Sequence, residues 1–543
     1  MMGFGTEIGR IGRRTTLAAT AALLLLAACS PAGDGQQAAV QAPVDPWTAR
    51  GGPTLDPVAA NALDGSVFGV GYDRIVDIYL DATPLDRFAV SGLDGLSEID
   101  ALLDARAEGG SVILARGGED VVRLPVPTAR DTHGWAALTV AAIGDARAHS
   151  PLLAEADREA IYEAFYDAAL GDLDDYSRYV DPEHAREERA QRDGYGGVGL
   201  LIEASDGRTI ILQVFEDGPA AAAGIEPGWF IVAVDGESAE EWDIGEVGQK
   251  LRGRVATPVT VTFETAQGER RTVTLRRDRV VPNVVASRIQ DDTIIVEVLR
   301  FNAATTDYLA EAIDEGLAEL GSRARGVVLD LRGNPGGLLG QAVTVADMFV
   351  EAGELIHTRG RHPDSRQHFE ARLGDVAQGL PLAVLIDGRS ASGAEIVAAA
   401  LQDTGRAVLV GSSTFGKGSV QTVTRLPNDG ELYLTWSRIY APSGYTFHRQ
   451  GVMPTVCTSA GDSEAGSLIA RFRAGEIAVP SSMTAERRAA PDDARALTAL
   501  RDACPWRPHD AELDVDVALR LVADRTLYAQ ALQASSQGML AQR

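Results

Sequence analysis

The sequence predicts an α/β protein with helical regions at both ends and a strand-rich module inserted ahead of its main core. Three observations predict it. Between residues 278 and 456, apolar runs at 293–298, 326–331, 383–386 and 407–410 alternate with helical patterns at 305–320, 338–350 and 392–402. Such alternation builds a layered α/β core. Between 194 and 277 the pattern changes to short strands separated by turn residues. The flanks, 46–193 and 457–543, carry mostly helical spacing and charge.

The 543 residues suggest roughly three domains. A formal net charge of −27 repels phosphate backbones, which argues against nucleic-acid binding and favours basic or neutral partners. At the start, Arg10, Arg13 and Arg14 precede an apolar stretch at 17–28. Its 12 residues fall short of the ~20 that a membrane span requires, but suit an export signal. The stretch ends in Leu26-Ala27-Ala28-Cys29. Small residues before a cysteine resemble the bacterial lipoprotein processing box, which implies cleavage before Cys29 and acylation of its thiol and new amine. Two or more acyl chains anchor stably where one binds only marginally. An ordinary signal peptide with an incidental cysteine is the alternative; Arg13-Arg14 lacks the surroundings of a twin-arginine signal. Residues 1–28 are therefore read as a signal peptide. Residues 29–45, small, polar and proline-containing, are read as a tether. The expected location is the cell envelope, lipid-anchored and periplasmic.

In 46–193, Ile161, Phe165 and Ala169 recur at helical spacing, and Gly117-Gly118-Glu119-Asp120 joins two apolar strands as a hairpin. Asp175-Tyr176-Ser177-Arg178-Tyr179-Val180-Asp181-Pro182 leads into a charged helix. In 194–277, strands at 210–215 and 229–234, a turn at Asp235-Gly236, a helix at 244–251 and a hairpin from 259 to 275 follow in order.

Four segments of the main core carry chemistry. Arg332-Gly333-Asn334-Pro335-Gly336-Gly337 follows an apolar strand. Ser390-Ala391-Ser392-Gly393-Ala394-Glu395-Ile396 opens a helix. Thr414-Phe415-Gly416-Lys417-Gly418-Ser419-Val420-Gln421 lies between strands. Pro442-Ser443-Gly444 and Gly451-Val452-Met453-Pro454 close the domain. A serine hydroxyl needs an adjacent base, and no histidine sits in a matching context. Lys417, between two glycines, can be walled by apolar groups. Desolvation disfavours its ammonium and yields a neutral amine able to take a proton. Ser392 stands at a helix N-terminus, where free N–H groups favour a developing oxyanion. Gly393 and the Gly336-Gly337 turn supply candidate donors. Ser392-x-x-Glu395 also reads as a capping box, which requires no catalysis and can coexist with it.

In order and spacing these segments resemble the carboxyl-terminal processing peptidases, or tail-specific proteases, from about Asp175 to Val456. The resemblance implies Ser392 as nucleophile, Lys417, 25 positions on, as base, and Gln421 as the residue that orients the lysine. It departs from the usual pattern at Gly393 and Ala394, where alanine and serine are more common. It implies a crotonase-like (ClpP-like) protease core at 278–456, a PDZ domain at 194–277, and helical regions at 46–193 and 457–543. Gly197-Val198-Gly199-Leu200 would be the carboxylate-binding loop of the PDZ domain, the adjoining strand edge taking a peptide by β-augmentation. The expected partners are protein or peptide substrates with free apolar C-termini, besides the membrane. The alternative is a catalytically silent PDZ scaffold.

Three other patterns carry weaker signals. Gly411-x-x-x-x-Gly416-Lys417 nearly spells a phosphate loop, but Gly418 stands where the magnesium-binding Ser or Thr belongs. His357, His362 and His368 lack regular ligand spacing and read as a solvated polar loop, so no metal and no cofactor is expected. Cys457 and Cys504 form no CxxC pattern and, in an oxidising envelope, are a disulfide candidate.

Overall fold

The computed structural model describes residues 57–540, apart from 206, 216, 373, 462–463, 478 and 508–510. The export segment, Cys29 and the tether lie outside the described residues.

The main sheet has six strands in the order Val285–Gln290, Thr293–Val298, Gly326–Asp330, Leu382–Ile386, Val408–Gly411, Val456–Cys457. The first pair is antiparallel and every later pair parallel. Its central strands, mostly apolar, are buried along their whole length, as strands are when both faces of a parallel sheet are covered. Helices Thr305–Leu320, Leu339–Asp347 and Gly393–Asp403 pack their apolar residues into the core on one face. The other face is covered from residues 457–543, by Ala465–Arg473, Ala511–Ala523 and Arg525–Leu540. The charged C-terminal stretch is thus the second cover of the sheet, with buried Leu513, Val517 and Leu521 spaced for one face of helix Ala511–Ala523 and Leu527 added from the next helix.

A second sheet runs His368–Glu370, Glu354–Arg359, Glu431–Tyr440, Ser419–Arg425, with Arg178–Val180 also paired to Glu431–Tyr440. The N-terminal region packs Pro57–Ile78, Leu85–Asp94, Thr132–Arg147 and Arg158–Gly171 on a three-stranded antiparallel sheet, Leu103–Glu108, Ser111–Arg116 and Glu119–Pro125. Its aromatic core of Phe68, Tyr72, Phe88, Trp135 and Phe165 continues into Leu432 and Leu434 of the second sheet. The strand-rich module forms its own sheet, Arg270–Arg276, Pro258–Glu264, Phe230–Val234, Arg208–Val214, Leu200–Ser205, around Trp229, Phe263 and Val261. Leu200–Ser205 is its edge strand, and helix Ile244–Leu251 contributes Val247 and Leu251 to the same core.

Candidate active site

The chain leaves strand Leu382–Ile386 through a turn held by Asp387, whose carboxylate accepts from the N–H groups of Gly333, Arg389 and Ser390. The Ser390 hydroxyl donates to Leu331 O at 2.8 Å. The turn ends at Ser392, the N-cap of helix Gly393–Asp403, with φ +52° and ψ −107°. A serine enters that conformation at a cost of about 1–3 kcal/mol, and such outliers collect at functional sites.

The glycine turn lies against this serine. A Cβ on Gly336, whose φ is +100°, would stand 2.8 Å from both Gly393 N and the Ser392 Cβ. Gly393 faces the Phe301 ring, where a Cβ would come within 2.8 Å of ring carbon. That close approach accounts for glycine at this position. Asn334, fully buried, organises the turn: its Nδ2 donates to Val298 O at 2.7 Å, its Oδ1 accepts from Gly336 N at 2.8 Å, and its carbonyl accepts from Ala391 N at 2.9 Å. The Gly336 N–H, expected as an oxyanion donor, is therefore committed to Asn334, which leaves Gly393 and Gly337 as the candidate glycine donors.

Glu395 joins the serine turn to the lysine loop. Its Oε2 accepts from Ser392 N at 2.9 Å and Lys417 N at 2.8 Å. Its Oε1 accepts from Gly416 N at 2.7 Å and the Thr414 hydroxyl at 2.5 Å. The residue is wholly buried. Burial pushes its carboxyl up to about 7, against the pull of these four hydrogen bonds. The sequence marks Glu395 only as half of a capping box; its reach to residues 414–417 has no sequence signal.

Lys417 is held below the ordinary lysine range, chiefly by burial and also by the nearby Arg178 guanidinium, with Asp174, Glu395 and Glu188 pulling the other way. Its Nζ lies 5.2 Å from the centre of the Tyr176 ring. Tyr176 in turn meets His448 edge-on at 6.0 Å. Burial, with Arg438 and Arg449, presses the His448 pKa down to about 4, and its Nδ1 accepts from Arg438 Nη1 at 3.1 Å. This imidazole is neutral with one nitrogen already engaged. The sequence marks Tyr176 only as part of the lead into a charged helix, and its approach to the lysine from that distant segment has no sequence signal; nor does the approach of His448 to Tyr176.

Gln421 points elsewhere than expected. Its Nε2 donates to Ser419 Oγ at 2.9 Å and Thr435 Oγ1 at 3.2 Å, and among the described residues no hydrogen bond joins it to Lys417. Thr435 donates to Asp174, one of the acids that favour the Lys417 ammonium, so the link from Gln421 to the lysine is indirect. Asp403 accepts from the N–H and hydroxyl of Ser443, anchoring the Pro442-Ser443-Gly444 turn.

In the strand-rich module, Gly197 ends the short strand Tyr195–Gly197, paired with Asp278–Val280. Val198 and Leu200 are buried in the module core. Gly199, at φ +78°, packs against Gly218 at the mouth of the edge strand. Leu201 is exposed on that strand. Cys457 and Cys504 are joined with Cα atoms 5.8 Å apart. The Cys504 carbonyl accepts from Ser413 N, one residue before Thr414 of the lysine loop.

The three histidines do not form a solvated loop. His357 lies in strand Glu354–Arg359 and His368 in strand His368–Glu370, while only His362 is in the connection between them.

Residues 292–458 match the model of peptidase family S41, and residues 210–265 that of the PDZ domain. The carboxy-terminal-processing protease of Bartonella bacilliformis is 36% identical over 303 residues, covering 55% of this chain and 70% of that protein. The carboxy-terminal processing protease CtpA of Bacillus subtilis is 31% identical, covering 55% of this chain and 64% of that protein. The solved photosystem II D1 C-terminal processing protease is 29% identical, covers 55% of this chain and 81% of its own, and has a TM-score of 0.33.

Proposed function

The chain belongs to peptidase family S41, as a carboxy-terminal-processing serine protease with a PDZ domain, and from that premise we propose which residues perform the cleavage. Ser392 Oγ attacks the substrate carbonyl. Lys417, shifted toward the neutral amine by burial, takes the hydroxyl proton and returns it to the leaving amine. The N–H groups of Gly337 and Gly393 receive the oxyanion. Gln421 acts on the lysine through Thr435 and Asp174. The observation that carries this reading is the Glu395 carboxylate, which takes the backbone N–H of both Ser392 and Lys417 and so holds nucleophile and base in one frame.

The PDZ domain receives the free C-terminus of the substrate. The Gly197-Val198-Gly199-Leu200 segment offers N–H groups to the terminal carboxylate, and edge strand Leu200–Ser205 pairs with the peptide. The main core is read as the crotonase-like (ClpP-like) fold, in keeping with its largely parallel sheet and the helices on both faces. The enzyme is read as an envelope protein anchored through acylated Cys29, on the periplasmic side. The Leu26-Ala27-Ala28-Cys29 box supports this, and so does the Cys457–Cys504 bond, a linkage that persists in oxidising compartments.

Incubation with peptides of varied C-termini tests the assignment. Wild-type protein should cut peptides with free apolar tails, while Ser392→Ala and Lys417→Ala should each remove turnover and leave the unfolding transition in place. Substantial cleavage by Lys417→Ala would overturn the choice of base.

A further inference from the structure

We propose that Glu354, His357 and His368 form a surface site for a divalent cation of the zinc class, on the hairpin outside the catalytic frame. One ligand atom from each of the three lies within 4.8 Å of the others. His357 Nδ1 is 2.5 Å from Glu354 Oε1, and His368 Nδ1 is 3.7 Å from the same oxygen. Zinc holds imidazole nitrogen and carboxylate oxygen at about 2.0–2.2 Å, which separates tetrahedral ligand atoms by roughly 3.4 Å. The three atoms span that value, so small rotamer adjustments close the shell. Two imidazoles and a carboxylate are donors of the kind borderline divalent metals take, with a fourth position left to solvent or a partner group.

The backbone brings these residues together by a specific device. Glu354 and His357 are three apart on one strand, and in a regular strand they would point to opposite faces. Here the register slips between Glu354 and Ile356, so that Glu354 pairs with Glu370, Ile356 with Phe369 and His357 with His368. A bulge inserts one residue and re-aims what precedes it. Glu354, His357, His368 and Glu370 therefore share one face of the hairpin.

Two further contacts suit a metal. His368 turns Nδ1 toward Glu354 and Nε2 toward Glu370, 3.4 Å away. A metal-bound histidine typically gives its other ring nitrogen to a carboxylate in this way, which fixes the ring and raises its basicity. His357 is clamped by stacking on Tyr440 at 5.2 Å with 6° between the planes, so its ring is already oriented. Arg359 and Arg366 line the same depression. Their guanidinium groups are drawn off, one over the Tyr440 ring and one to Gly360 O. His362 is excluded, its ring nitrogens lying near Asp77 and Asp364.

Untagged full-length protein, freed of metal by a chelator, tests the site by calorimetric titration with Zn²⁺ and by visible absorption with Co²⁺. The expected result is one tight equivalent per chain. His368→Ala, at a half-exposed position, should abolish the Co²⁺ band and leave the unfolding transition in place. Glu354→Gln should weaken Zn²⁺ by about 100-fold, and Glu370→Gln by about 10–100-fold through loss of ring support. His362→Ala should bind as wild type. Absence of saturable Zn²⁺ binding would overturn the proposal. So would an equivalent whose affinity and Co²⁺ spectrum are unchanged in both His368→Ala and Glu354→Gln.

Discussion

Replacing Glu395 with glutamine tests the catalytic frame while preserving the shape of the side chain. Near pH 5 the native carboxyl is protonated, since burial holds its pKa up at about 7. Its O–H can donate to Thr414, whose hydroxyl then accepts, while the same oxygen still accepts from Gly416. The carbonyl oxygen keeps Ser392 and Lys417. Every backbone N–H in the cluster is met. Glutamine in the better rotamer puts its amide nitrogen opposite Gly416 and leaves that buried N–H unmet. The other rotamer strands two N–H groups, those of Ser392 and Lys417. One stranded donor costs about 1–3 kcal/mol, which is the expected loss of stability at pH 5. The pH dependence has a definite sign. The unfolded carboxyl releases its proton near its ordinary value of 4.5 and the folded one near 7, so the folded state holds more protons in that window. Wild-type stability therefore falls relative to Glu395→Gln as pH rises from 4.5 to 7. The full change is about 3 kcal/mol, enough to close or reverse the gap by pH 8. Activity should not follow. The stranded Gly416 N–H displaces the lysine loop, and a shift of about 1 Å costs roughly 100-fold. Urea unfolding at pH 5, 6, 7 and 8, with kcat and KM for a free-tailed peptide at pH 8, separates the two effects. A variant within twofold of wild-type kcat/KM, or a stability gap that widens with pH, would refute the reasoning.

The acid limb of kcat/KM should reflect Lys417. Its amine must be neutral to act and burial lowers its pKa, so activity should rise with pH through a midpoint below 10.5 and be lost as pH falls. A single lysine-like midpoint at or above 10.5 would remove desolvation from the account. Amidating the C-terminus of a bound peptide should weaken its affinity for the PDZ domain strongly, by removing the charge that the N–H groups of the loop receive; fluorescence anisotropy with the paired peptides reads this, and equal affinities would rule the mode out. Breaking the Cys457–Cys504 bond by substituting both residues with alanine frees a loop of 47 positions in the unfolded chain. It should lower the unfolding free energy by up to about 4 kcal/mol, read by chemical denaturation of oxidised protein. Mass spectrometry of membrane-extracted protein should find an acylated N-terminal Cys29; a mature N-terminus elsewhere on a soluble form would refute the anchor.

What the sequence reveals of this molecule depends on whether a signal is local. Helix Thr305–Leu320 and strand Thr293–Val298 are read to the residue, because periodicity and β-branched runs are properties of one segment. The serine and lysine segments are equally legible as short motifs. The second sheet is not. Arg178–Val180 pairs with Glu431–Tyr440 across some 250 positions, and neither strand announces its partner. The same holds for the surroundings of Lys417. Tyr176 and Asp174 come to the lysine only because that sheet forms, which is why Gln421 reads from its motif as a contact of the lysine and instead turns to Ser419 and Thr435. Glu395 shows the limit most sharply. As a capping residue it satisfies one N–H in its own helix, and the sequence shows nothing more. Folding brings three further donors from residues 414–417 to the same carboxylate, converting a local cap into the joint between the serine turn and the lysine loop. The histidines of the hairpin follow the same logic. Their spacing in sequence, 357 and 368, suggests no ligand pair, while an antiparallel register with one bulge sets them opposite each other and turns Glu354 toward both. Here a one-residue slip in strand pairing decides whether three scattered side chains are a solvated turn or a site.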